Sequence, residues 1–399
     1  MSDQHEALIV GAGAAGLAAA AMVRRRGVPA LVLERTDAVG SSWRERYDSL
    51  LLNTPRVTST LAGYRMPRRY GRWPTRDNVV EYLEEYARRE EISVRFGVVV
   101  ERADRENEHW VLATSAGELR ARNLVIATGH DTHPVIPDWP GREAFPGELL
   151  HSAEYRNPDR FKGREVLVVS ASNSGSEISY ELAANGAARV WTSMRSPAPV
   201  FPREWPRGMP LNYTACLLDL LPDRVADGMT GITQRVIYGD LSDHGIPPAP
   251  IGAQTRAKHR HQGVLVDAGF VKALKAGQIE IVAAVRDFDG PEVVLADGTR
   301  LQPDAIIAGT GYRRGLEPMV GHLGVLDESG HPEVMGAKTH VNAPRLYFNG
   351  FYGTISGGLR HMRRHARAIA RAIARDAFEA SEHEPRHLEG PRGSPIGDA

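Results

Sequence analysis

Residues 6–34 read EALIVGAGAAGLAAAAMVRRRGVPALVLE, and their pattern decides the fold. Glu6–Val10 is a short apolar run of strand character. Ala14–Arg26 continues as a helix, and Pro29–Glu34 forms a second strand. The turn between the first strand and the helix is Gly11-Ala12-Gly13-Ala14-Ala15-Gly16. Gly11 permits a tight turn, Gly13 lets a pyrophosphate approach the backbone, and Gly16 lets helix and strand pack closely. The start of the helix offers free N–H donors and a positive dipole end to phosphate. Glu34 closes the second strand 18 residues after Gly16. Its carboxylate can accept hydrogen bonds from a ribose diol, and its charge disfavours a 2′-phosphate there. Arg35 beside it joins the candidate set. A glycine triplet alone is a weak signal. In this strand–turn–helix–strand–acid context it specifies a dinucleotide-binding unit.

The same architecture returns about 155 residues later. Glu165–Ser170 is a strand, Ser174–Asn185 a helix and Ala188–Ser193 a strand. The turn is degenerate: Ser170-Ala171-Ser172-Asn173-Ser174-Gly175 places serines where the first two glycines stand in the earlier unit. Its backbone can still cradle a phosphate, and the hydroxyls can add bonds. Arg195, 20 residues after Gly175, ends the second strand where an acid would favour NAD, so NADPH is expected. The alternative for Arg195 is a solvated strand-end arginine. Two such units imply two dinucleotides, with FAD bound tightly and NADPH visiting.

Working outward, the chain has 399 residues, with 42% apolar and 25% charged. That suits a soluble globular protein of two or three domains. Lys plus Arg equals Asp plus Glu at 49 each. Zero net charge argues against a broadly electrostatic binder of nucleic acid or membrane. The single cysteine, Cys216, excludes an intramolecular disulfide, a CxxC relay and an iron–sulfur site, and it suits a cytoplasmic protein. Cys216 itself reads as a buried small hydrophobe. Met1–Glu6 has no basic stretch of the kind that opens a signal peptide, and no run of ~20 apolar residues predicts a membrane span.

The periodicity predicts an amphipathic helix over 78–89 and a small antiparallel meander from Ile92–Glu101, His109–Thr114 and Glu118–Ala121. A separate strand is expected at Asn123–Ala127, and a broken helical stretch at 217–240. Further strands are expected around 278–288, 292–295, 305–308 and 346–348, and a long helix over 358–379. The fold class is therefore α/β, with two Rossmann-like dinucleotide-binding domains and the FAD domain discontinuous. The expected division is 1–155 and 291–380 for the FAD-binding domain, 156–290 for the NADPH-binding domain, and a disordered tail over 381–399.

Phe145-Pro146-Gly147-Glu148-Leu149-Leu150-His151-Ser152-Ala153-Glu154-Tyr155, an FxGxxxHxxxY run just before the second unit, resembles the fingerprint of class B flavin-dependent monooxygenases. Gly40–Leu52 followed by Asn53-Thr54 resembles that family's GGxWxxRYDxLxLxT segment. Trp73-Pro74-Thr75, Ala127-Thr128-Gly129 and Gly309-Thr310-Gly311-Tyr312 also agree. Val264–Gly277 resembles a run of the YUCCA-like branch. The likeness spans residues 5–375 in consistent order. It implies NADPH- and FAD-dependent oxygenation through a flavin C4a-(hydro)peroxide, one oxygen atom passing to a small organic substrate by N-, S- or C-oxygenation. By this resemblance Gly40, Ser42, Trp43, Thr54, Thr128, Gly129, Thr310 and Gly311 line the flavin. Ser172, Asn173, Ser174 and Gly175 hold NADPH, and the helix starting at Gly358 points its N-terminus at the flavin pyrimidine edge. Asn53 lies beside flavin and nicotinamide; the alternative is a plain turn asparagine.

The chain departs from the family in places. Tyr155 stands where Baeyer–Villiger enzymes usually have Trp, and Gly353-Thr354 stand where the YUCCA branch carries basic residues, which counts against indole-pyruvate as substrate without deciding it. The other readings are a Baeyer–Villiger or oxidatively decarboxylating monooxygenase, an NADPH oxidase or reductase, and a non-catalytic FAD-binding protein. The partners expected are a small substrate and O2, with homodimerisation open. No metal is expected. His361 and His365 share a helix face without a third ligand and read as a solvated or core face. His259-Arg260-His261 reads as a polar loop and His151 as structural.

Overall fold

The computed structural model describes residues 3–383. The chain opens with β1 (Asp3–Val10), α1 (Ala14–Arg24) and β2 (Ala30–Leu33), then α2 (Arg76–Arg89) and β3 (Ser93–Arg95). β1, β2 and β3 are parallel neighbours, in register Ala7↔Ala30 and Leu31↔Ser93. α2 is set by its sequence. Thr75 and Asn78 form a reciprocal capping box at its start. Val79, Tyr82, Leu83 and Tyr86, at helical spacing, are buried against the alanine-rich α1.

The antiparallel meander is β4 (Val100–Glu106), β5 (His109–Thr114) and β6 (Gly117–Ile126). Here the structure corrects the sequence reading. Ile92–Glu101 divides, its start joining the parallel sheet as β3. Glu118–Ala121 and Asn123–Ala127 are one strand, not two. Polar Arg122 and Asn123 suggest a break, but β6 pairs with β1 on both sides of them, from Leu119 to Ile126, and the buried Asn123 Nδ2 donates to Glu6 O at 3.2 Å.

The second sheet contains β7 (Glu148–His151), β8 (Glu165–Val169) and, after α3 (Asn173–Ala184), β9 (Arg189–Ser193). Three helices follow: α4 (Asn212–Leu218), α5 (Asp223–Tyr238) and α6 (Ala253–Arg260). β10 (Glu280–Val282) and β11 (Ala305–Ala308) complete the sheet in the parallel order β10-β9-β8-β11-β7. The division expected at 155 and 290 therefore cuts through this sheet: β7 precedes the first boundary and β11 follows the second. Both are held by pairing, β11 lying between β8 and β7 with Ile307 opposite Val168 and Leu150.

The chain then returns to the first sheet. β12 (Leu346–Phe348) pairs with the second half of β6, Leu346 opposite Leu124, while β5 pairs with the first half. α7 (Gly358–His383) lays Leu359, Ala366, Ile369, Ala370 and Ile373 into the same core as α1. It ends four residues later than expected. The remainder of the tail expected to be disordered lies outside the described residues.

Candidate active site

The first turn is built as its glycines require. Gly11 has φ +105°, and a Cβ there would lie 2.7 Å from Ala127 O. A Cβ on Gly16 would lie 1.8 Å from Gly11 O, so only glycine lets α1 cross the strand end this closely. At Gly13 a Cβ would meet nothing within 4 Å. Gly13 is the N-cap of α1, with no side-chain cap and no acid in the first turn, so no side chain of its own satisfies the first N–H groups of the helix.

Glu34 Oε2 accepts from Ala12 N–H at 2.7 Å, and its Oε1 accepts from Thr36 N–H at 3.0 Å, which holds the carboxylate at the turn. Arg35 beside it is exposed. Gly40, with φ +71°, donates to Ala12 O at 3.1 Å and starts the short helix Ser41–Arg44 that carries Ser42 and the half-buried Trp43. Across the opening, Gly129 has φ +85° with free space around it, and Thr128 Oγ1 is shielded from solvent without a hydrogen-bond partner among the described residues. An open cradle, a bare helix N-terminus and an unsatisfied hydroxyl together fit a dinucleotide of the FAD type.

The second turn differs from expectation in one respect. Ser170 Oγ and Ser172 Oγ pair at 2.9 Å, and Ser172 N–H donates to Ser170 Oγ at 3.2 Å. The hydroxyls thus satisfy the turn itself, as serine commonly does beside its own backbone. Ser170 also fills the gap beside Gly175, where a Cβ would come within 2.2 Å of its own Cβ. Asn173 Oδ1 accepts from Val266 N–H at 2.6 Å. Ser174 follows at the helix start, and Ser172 caps α3 without a side-chain bond into it, so this helix end is also free to receive phosphate. Arg195 is exposed past the end of β9 and pairs with no acid among the described residues.

Between the two units the chain holds a polar network that joins Asn53 to Tyr47, Glu177 and Arg203. Asn53 Nδ2 donates to Glu177 Oε1 at 2.9 Å, and Arg203 Nη2 donates to Asn53 Oδ1 at 3.0 Å. Tyr47 OH donates to the other Glu177 oxygen, and Arg203 lies 3.8 Å from Glu177. Burial pushes the Glu177 carboxyl above the ordinary range, opposed by the bonds from Tyr47 and Asn53. The sequence signal for Glu177, an acid one turn into α3, is too common to act on. Asn53 and Arg203 border a cavity of about 70 Å³ whose other walls include Phe201, Leu211, Leu218, Val266 and Ile355.

A second cluster anchors the start of α7. Asp219, with its side chain 3% exposed, accepts from His361 Nε2 at 2.9 Å, Ser356 Oγ at 3.0 Å and Arg360 Nη1 at 3.2 Å. These bonds, led by that from His361, overcome burial and hold the Asp219 carboxyl well below its usual range. His361 therefore lies on a core face and not a solvated one, buried beside Asp219. Asn212 Nδ2 donates to Ser356 O at 3.1 Å, and Thr58 Oγ1 donates to Asn212 Oδ1 at 2.8 Å. Gly357, with φ +104°, lies so close to Thr54 that a Cβ would fall 2.8 Å from its Cγ2. Segment 53–58, α4 and the Gly358 end of α7 thus converge beside the cavity.

His151 is structural. Its Nδ1 accepts from Ala153 N–H at 3.0 Å, so its Nε2 carries the proton donated to Gly311 O at 3.1 Å. That bond and the Thr310 hydroxyl, which donates to Val135 O, hold the Thr310-Gly311 turn. His261 is not simply in a polar loop; its ring stacks on His331 at 3.5 Å. Cys216 is half-buried, with Sγ 3.8 Å from Asn212 Oδ1, and so less apolar in surroundings than expected.

A family model described as pyridine nucleotide-disulphide oxidoreductase matches residues 8–198. Indole-3-pyruvate monooxygenase YUCCA1 of Oryza sativa subsp. japonica is 37% identical over 311 residues, 77% of this chain and 76% of that protein. Probable indole-3-pyruvate monooxygenase YUCCA9 of Arabidopsis thaliana is 34% identical over 354 residues, 86% of this chain and 83% of that protein. Among solved structures, the flavin-containing monooxygenase from Stenotrophomonas maltophilia superposes with a TM-score of 0.71 at 24% identity, covering 94% of this chain and 99% of that one. A cyclohexanone monooxygenase bound to epsilon-caprolactone gives 0.73 at 17% identity, covering 95% of this chain and 89% of that one. These two superpositions speak for the fold.

Proposed function

The chain belongs to the YUCCA-like flavin-containing monooxygenases, and from that membership we propose how its own residues serve the family's reaction. It is a flavin-dependent monooxygenase that transfers one atom of O2 to a small organic substrate. When bound, FAD and NADPH supply a hydride and then an activated oxygen. The residues' part is to bind, orient and exclude water. The α1 N-terminus receives the FAD pyrophosphate beside Gly13, and Glu34 turns to the adenosine ribose. The α3 N-terminus receives the second pyrophosphate, and Arg195 meets a 2′-phosphate, which favours NADPH over NADH. Arg203 is already engaged by Asn53 and is the weaker candidate for that role. The free N-terminus of α7 faces the same region and favours negative charge there. Domain limits follow the two sheets, and a cytoplasmic setting suits a chain whose lone cysteine has no partner. Among the described residues no helix is long and apolar enough to cross a membrane.

One observation carries this reading. Asn53, its amide fixed from both sides, borders an apolar cavity at the junction of the two nucleotide units. A substrate whose reacting end enters that cavity meets a water-poor space beside an amide able to donate and accept. Gly353 is pressed against α6, where a Cβ would lie 2.0 Å from Ala257 O, so the basic side chain of the plant branch has no room there. Indole-3-pyruvate, for which the plant relatives are named, is still the first substrate to try. The test uses FAD-loaded protein with NADPH and ¹⁸O₂ against a panel of indoles, amines, sulfides and ketones. One labelled oxygen per NADPH in a product supports the proposal. Hydrogen peroxide alone with every substrate indicates an oxidase, and bound FAD without NADPH oxidation indicates a binding protein.

A further inference from the structure

Helix α5 carries an apolar face that the described residues leave open. Val225, Met229, Ile232 and Val236 recur at i, i+4, i+7 and i+11, which places them on one side of the helix. They are 48, 46, 67 and 67% exposed. Just ahead of them, Leu217 and Leu220 are 68 and 70% exposed. An apolar tract of this extent on a soluble protein marks an interaction site. Beside it runs a groove of about 400 Å³ between α5 and Ile246–Ala253, walled in part by Ile232 and Val236, which offers relief for a partner's side chains.

Two features of the helix say what covers this face. The first is glycine. Gly228, three residues after Val225, lies on the stripe, and Gly231 flanks it; a Cβ on either would meet nothing within 4 Å. Mid-helix glycine weakens a helix and has no packing reason among the described residues, but it bares the backbone for close approach of another helix. The second is symmetry. Val225 and Val236, and likewise Met229 and Ile232, are equidistant from the midpoint between Thr230 and Gly231. An antiparallel copy of the helix then sets valine against valine and methionine against isoleucine, the self-complementarity that a two-fold interface demands. A lipid surface is the poorer occupant. α5 holds two arginines, Arg224 and Arg235, and two aspartates, Asp223 and Asp227, so no basic surplus draws the face to anionic headgroups.

We propose that α5 packs antiparallel against α5 of a second copy, forming a two-fold homodimer. The full-length, FAD-loaded chain should show twice its 43.7 kDa mass by light scattering at micromolar concentration. Ile232→Lys combined with Val236→Lys should give a monomer that keeps its flavin. Because such a variant can also fail by misfolding, the register is tested separately in a Cys216→Ser background. Val225→Cys and Val236→Cys proteins, mixed and oxidised, should form a cross-linked dimer of one chain of each, at least tenfold faster than either alone. A monomeric wild type, a double-lysine variant that remains dimeric, or a mixture that cross-links no faster than its components overturns the proposal. So does a wild type that is monomeric in solution and cosediments with phosphatidylcholine or phosphatidylserine vesicles, which would assign the face to lipid.

Discussion

Asn53 donates to Glu177 at 2.9 Å across 124 residues of sequence, joining the segment after the first nucleotide turn to the helix that opens the second. The amide's oxygen is fixed as well, by Arg203. Its orientation is therefore set by both units, and a change in either reaches it.

Asn53→Ala should leave FAD bound and NADPH oxidation largely intact while diverting turnover from product to hydrogen peroxide. Glu177→Ala should do the same by freeing the amide, and Glu177→Gln should recover most of the coupling because it still accepts from Asn53. A hydrogen bond to a charged group is worth about 1.5–3 kcal/mol, so the ratio of product to peroxide should fall about ten- to a hundredfold in the alanine variants. Peroxide and NADPH consumption measured together decide this. If Asn53→Ala stays fully coupled, Asn53 is only a turn residue.

Gly13→Val should abolish flavin retention without unfolding the apoprotein. The space around Gly13 is empty, so the branched side chain meets no protein atom at Cβ and instead occupies the approach of the pyrophosphate. The visible absorption of purified protein, set against its far-ultraviolet dichroism, separates the two effects.

Arg195→Ala should raise KM for NADPH about ten- to a hundredfold and leave that for NADH nearly unchanged, the value of one charge-assisted phosphate contact. Equal effects on both cofactors would make Arg195 a solvated surface residue and send the search for the 2′-phosphate contact elsewhere.

Asp219→Ala should destabilise the protein by about 3–5 kcal/mol, since it strands buried His361 and Arg360 without their acid. The Asp219 carboxyl titrates lower in the fold than its ordinary 3.8. Its stabilisation is complete above about pH 4 and disappears as pH falls further. Urea unfolding from pH 7 to 3 should show that low-pH limb in the wild type and not in the variant.

At milder acidity the histidines act. Burial lowers His130, His261 and His365 from 6.5 to about 4. Between those values the unfolded chain takes up protons that the fold refuses, so stability falls as pH drops from 6.5 toward 4 and the loss levels off below. Thermal melts at pH 7 and 5 should differ in that direction. His365→Gln should remove part of the slope.

What the sequence disclosed was mainly backbone. Glycine spacing and the strand-end acid are local, and Gly11, Gly13, Gly16 and Glu34 stand as their spacing implies. Asn53 was legible through its motif, but its partnership with Glu177 and Arg203, and the Asp219–Ser356–Arg360–His361 group, were not, because each joins residues far apart in the chain. The open alternation of β6 misled for a related reason: its two halves have different partners on one edge, and only the continuous pairing with β1 makes them one strand.

That arrangement of β6 has a consequence for synthesis. Everything the second sheet needs has been synthesised once Ala308 is added, whereas the first sheet waits for Leu346–Phe348 and its core waits for α7. The N-terminal nucleotide turn, though made first, closes last. A chain ended near residue 320 and released from the ribosome should present a protease-resistant fragment around 148–308 and a labile N-terminus, and should lack a flavin site.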